Sequence, residues 1–140
     1  MKNPFAVALT AMLLSVSAFA TAPRIRPGKW TVASTMQLPP GVRFTPPPTT
    51  RVTCYSKKDI DSGKAFRAIP KNCHEDYYRV KGKTVRWEIS CNKGRGGPLT
   101  MIGELTSTAG TSYEENVTNK RGSRVVGGMK IRGKRIGNCQ

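Results

Sequence analysis

The chain has 140 residues, of which 24 are Lys or Arg, 8 are Asp or Glu and one is His, for a formal net charge of +16 at pH 7. One imidazole, His74, excludes a two-histidine zinc set and leaves a serine or cysteine hydrolase a single candidate base. The four cysteines contain no C-x-x-C pair, which argues against a zinc site.

From the N-terminus, Lys2 precedes a run from Phe5 to Ala20 that carries no charged side chain. As a helix this run reaches only about 24 Å, short of a hydrocarbon core of roughly 30 Å. Its form is that of a secretory leader, with Ala18-Phe19-Ala20 presenting small residues to a signal peptidase. The expected organisation is a signal peptide over 1–20, cleavage between Ala20 and Thr21, and one mature domain over 21–140 in the periplasm or outside the cell. No transmembrane anchor is expected after processing, and loss of Lys2 leaves a charge of about +15, which favours anionic partners.

The mature chain reads as strands. Trp30, Val32 and Met36 form a first alternating apolar set. Leu38-Pro39-Pro40-Gly41 and Thr45-Pro46-Pro47-Pro48 then form a connection, because each proline fixes φ and removes a backbone donor. Ser56-Lys57-Lys58-Asp59 has the spacing of a helix capping box, with Ser62-Gly63 as an early stop, so one short helix is expected. Next comes a segment with cysteine at both ends, CHEDYYRVKGKTVRWEISC, residues 73–91. Val85, Trp87 and Ile89 alternate with polar residues in its second half, and Gly82 lies at its midpoint, where a hairpin needs positive φ.

If Lys81-Gly82-Lys83 is a three-residue loop, Cys73 faces Cys91 and Tyr77 faces Trp87. Four cysteines in an exported domain predict two disulfides, with three possible pairings. The hairpin register favours Cys73 with Cys91, and elimination leaves Cys54 with Cys139. Further sets follow: Leu99, Met101 and Leu105; Tyr113 and Val117; Val125, Met129 and Ile131, with turns at Ala109-Gly110 and Lys120-Arg121-Gly122. The fold class is therefore all-β: an antiparallel meander curled into a small barrel or half-barrel, because one short helix cannot cover the apolar face of so many strands.

Gly28-Lys29-Trp30, Val52-Thr53-Cys54 before the capped turn, Cys73, the strand from Trp87 to Cys91 and the ending Arg135-Ile136-Gly137-Asn138-Cys139 occur in an order and spacing that resembles a known set. It is that of an uncharacterised exported bacterial family, domain of unknown function 3617, and the likeness spans about residue 25 to the end. The resemblance implies a periplasmic or secreted β-rich domain and carries no catalytic residue to transfer. The strong basicity of this chain departs from the family's mostly neutral loops.

Local motifs for chemistry are weak. Glu114 and Glu115 are adjacent, so strand alternation sends them to opposite faces, and Glu115 is expected half-buried against one of the many arginines. Asp59-Ile60-Asp61 opens like a calcium loop, but Lys64 and Pro70 stand where such a loop needs Gly and Glu. No metal, cofactor or catalytic residue is expected, and the reading is non-enzymatic. The basic residues remain: Lys81 and Lys83 at the hairpin tip, Arg86 outward, and Lys130, Arg132 and Lys134 on the outward side of the last strand. If these two regions adjoin in space, they form a candidate anion-binding face for lipopolysaccharide, anionic lipid or an acidic protein. Few aromatics share that side, which disfavours a nucleic-acid platform. The alternative is a carrier that holds a small apolar ligand or lipid between Trp30, Trp87, Met101 and Met129.

Overall fold

The computed structural model describes residues 22–92 and 94–140. The leader and cleavage site expected over residues 1–21 lie outside them. Seven strands and one helix follow in chain order: β1 (Gly28–Gln37), β2 (Thr49–Tyr55), α1 (Lys57–Asp61), β3 (Cys73–Lys81), β4 (Thr84–Cys91), β5 (Leu99–Thr108), β6 (Ser112–Arg121) and β7 (Arg124–Gly137). They form one antiparallel sheet in the order β2-β1-β7-β6-β5-β4-β3. The sheet stays open, with β2 and β3 as its two edges, so of the two expected forms a closed barrel is excluded. The meander runs unbroken from β3 to β7, and β1 then returns against β7.

Because β2 and β3 are opposite edges, the connection between them must cross the sheet. Ser56 caps α1 with a full capping box: its hydroxyl accepts from Asp59 N–H, and the Asp59 carboxylate accepts from Ser56 N–H. Gly63, at φ 73°, turns the chain out of the helix. The segment then lays Ile60 and Phe66 onto the apolar face, where both are buried. Phe66 meets the rings of Tyr55 and Tyr113 edge-on at 5.8 and 5.5 Å, and Arg67 pairs with Glu75 of β3. This strap supplies much of the cover that closure would otherwise have supplied.

The core beneath the strap consists of Trp30, Val32, Val85, Trp87, Ile89, Leu105 and Tyr113. Two glycines let aromatic rings lie flat across neighbouring strands. A Cβ on Gly103 would fall 2.0 Å from Trp87 Cε2, and one on Gly133 would fall 2.1 Å from Tyr113 Cε1. Tyr113 thereby reaches over β7 to Trp30, ring centroids 5.5 Å apart, and to the Tyr55 hydroxyl at 3.0 Å.

Both expected disulfides are present, Cys73–Cys91 and Cys54–Cys139. The hairpin register differs from expectation in its upper half. The turn has two residues, Gly82 and Lys83, so Lys81 pairs with Thr84 and Tyr78, rather than Tyr77, pairs with Trp87. A bulge between Glu75 and Tyr77 absorbs the extra residue and restores Cys73 opposite Cys91. Two other expected core residues are surface residues: Met36 is 54% and Met129 37% exposed, since they pair with each other beyond the reach of the strap. Val125 pairs with Lys120 on the outer face, because a register shift between Asn119 and Lys120 breaks the expected alternation.

Candidate anion-binding site

The bulge in β3 decides what the outer face presents. With Tyr78 turned to the core, Tyr77 and Arg79 project outward, and Arg79 stands directly opposite Arg86. Its guanidinium lies over the Tyr77 ring, 5.1 Å from the centroid. Lys81 follows on the same side, Lys83 occupies the turn, and Arg24 approaches from the segment before β1. Together they line a depression of about 760 Å³ whose walls hold five cations and no carboxylate. Arg86 Nε donates to Glu104 of β5 at 2.8 Å, but both partners are more than half exposed, so that pair contributes little to stability.

Like charges directly opposite on neighbouring strands destabilise a sheet. The Arg79–Arg86 pair is therefore a local cost, and an anion bridging the two guanidiniums would relieve it. Of the residues expected to bind anions, the fold brings together Lys81, Lys83 and Arg86. Lys130, Arg132 and Lys134 share the outer face but stand on β7, with β6 and β5 between. Three strand spacings amount to about 14 Å, more than the roughly 8 Å over which charge is screened at physiological ionic strength. Glu114 on β6 also takes Arg132 at 3.0 Å. The two basic groups are thus separate patches.

A second notable group lies inside. Glu115 is 1% exposed, and its Oε1 accepts a hydrogen bond from Trp87 Nε1 at 2.9 Å. Burial pushes its carboxyl up to about 7, opposed by the indole hydrogen bond. The arginine partner expected for Glu115 is thus replaced by an indole. Tyr113 and Tyr55, hydrogen-bonded to each other, have their hydroxyls raised by burial as well. The Tyr78 hydroxyl is buried with no hydrogen-bond partner among the described residues, and Arg67 covers its ring at 4.0 Å. On the same face, Glu75 of edge strand β3 stands opposite Ile89 and is taken by Arg67, the guanidinium that also covers the Tyr78 ring. Of the residues considered as lining a carrier, Trp30 and Trp87 are buried against protein, Met101 is half-buried and Met129 is exposed.

A family model described as a protein of unknown function (DUF3617) matches residues 25–139. No curated protein and no solved structure matches the chain.

Proposed function

This chain belongs to the DUF3617 family, whose description assigns no activity, and we propose that it is an exported, non-enzymatic β-domain that docks on an anionic component of the cell envelope. Docking occurs through the depression at the β3–β4 tip. The observation that carries this reading is the Arg79–Arg86 cross-strand pair in a depression lined by five cations, where one exposed carboxylate, Glu104, reaches Arg86 from β5. Arginine forks match phosphate oxygens bidentately, so phosphate-bearing lipid or lipopolysaccharide suits the site better than an isolated carboxylate. Export is supported by the leader-like run before the domain and by two disulfides, which persist in oxidising compartments.

Co-sedimentation with phosphatidylglycerol–phosphatidylcholine vesicles tests the proposal. Binding is expected at 25 mM NaCl and a loss of at least tenfold by 300 mM. The R79S/K81S/R86S variant should lose at least tenfold at low salt, whereas K130S/K134S should lose less than threefold. Salt-independent binding, or equal losses in the two variants, overturns the proposal.

A further inference from the structure

The depression at the β3–β4 tip has a neighbour. Arg24 and Lys83 line both it and a second depression of about 430 Å³, whose remaining walls include Arg26, Ser107, Ala109 and Gly110. The second lobe is a fixed feature of the fold. Arg26 N–H donates to the Gly110 carbonyl at 2.9 Å, and the Arg26 carbonyl accepts from Trp30 Nε1 at 3.2 Å. Ile25 is buried between two exposed arginines, so the extended segment holds Arg24 and Arg26 at the surface in a set spacing. The floor is the β5–β6 turn, where Ala109 and Gly110 both take positive φ, 51° and 73°. A Cβ on Gly110 would lie 3.2 Å from Arg26 Cγ, so a side chain there would press on the arginine stem.

The geometry points to a two-lobed site for a ligand that carries two phosphate groups, one in the Arg79–Arg86 lobe and one in the Arg26 lobe, with Arg24 and Lys83 between them. This rests on the anion-docking reading above and narrows its ligand class. Four arginines and two lysines line the combined groove without a carboxylate among the lining residues. A second phosphate on the same molecule binds at the high effective concentration that a short linker imposes, which raises affinity without any new kind of contact.

Calorimetric titration with free alkanediol bisphosphates of two to eight carbons, against inorganic phosphate, reads the inference directly. The best bisphosphate should bind at least tenfold tighter than inorganic phosphate. Arg26→Gln should remove that advantage while leaving inorganic phosphate within twofold of the parent. A parallel comparison of cardiolipin with phosphatidylglycerol vesicles at equal phosphate content separates the sources. A cardiolipin preference lost in Arg26→Gln assigns the site to a lipid headgroup, and an advantage confined to the free bisphosphates assigns it to a soluble ligand. The inference is overturned if no bisphosphate exceeds inorganic phosphate by more than threefold, or if Arg26→Gln weakens both probes equally. Vesicle docking that still falls with salt and in R79S/K81S/R86S would then leave the broader reading standing.

Discussion

Glu115 sits on β6 between Tyr113 and Val117 on the inward face, opposite Leu105 and Ile131, with the Trp87 indole as its hydrogen-bond donor. Its carboxyl is raised from an ordinary 4.5 to about 7 because burial disfavours the ionised form. A folded-state value above the unfolded one means that the folded state holds its proton longer. The contribution to stability is therefore undiminished below about pH 4.5, falls as pH rises toward 7, and stays low above that. Glu115→Gln keeps an acceptor for Trp87 and removes the titration. The stability of the parent minus that of the variant, measured by urea unfolding, should thus fall by on the order of 3 kcal/mol between pH 4 and pH 8. A difference that does not move with pH would show that the carboxylate is solvated. Sequence parity places Glu115 inward, but the identity of its partner depends on Trp87 lying across Gly103, a relation between residues on three strands that no local pattern encodes.

At the scale of elements, the β3–β4 hairpin shows how far local symmetry can be read. Alternation and the two cysteines predict the pairing of Cys73 with Cys91, and the structure has it. The two-residue turn and the bulge near Asp76 offset each other, so the cysteine register is right while every pair nearer the turn differs by one. That slip conceals Arg79: in the expected register it faces Val85 on the core side, whereas in the structure it faces Arg86 outside. Lys81, Lys83 and Arg86 were legible because they flank a recognisable turn, and Arg24 was not, because only the tertiary fold brings it there. The bridges themselves carry a prediction. By loop-closure entropy, Cys73→Ala/Cys91→Ala should cost about 3 kcal/mol and Cys54→Ala/Cys139→Ala about 4.5 kcal/mol, since the second closes the longer loop. Denaturant unfolding that ranked them the other way would mean that the short bridge, which holds the start of edge strand β3, acts mainly on the folded state.

At the scale of the whole molecule, an open sheet with its strap answers the same requirement that suggested a barrel: one apolar face, too broad for a short helix, must be covered. The choice between them turns on strand order. Once β1 inserts between β2 and β7, the ends of the sheet cannot meet without displacing the segment that crosses from β2 to β3, and the aromatic contacts of Phe66 hold that segment in place. Nothing local in the sequence says that β1 pairs with β7, and the consecutive meander places β5 and β6 between the basic residues of β7 and those of the β3–β4 tip. The net charge of +16 has two consequences of opposite sign. Crowded cations repel one another in the compact state, and the described ion pairs on the outer face, Arg86–Glu104 and Arg132–Glu114, are exposed and weak. Added salt screens the repulsion more than it weakens those pairs, so raising NaCl from 20 to 300 mM should increase the thermal midpoint by a few degrees in scanning calorimetry. The same screening should release the protein from anionic vesicles. Stability and docking should therefore move in opposite directions along one salt series, and a midpoint that fell with salt would show that attraction between charges, not repulsion, governs the folded domain.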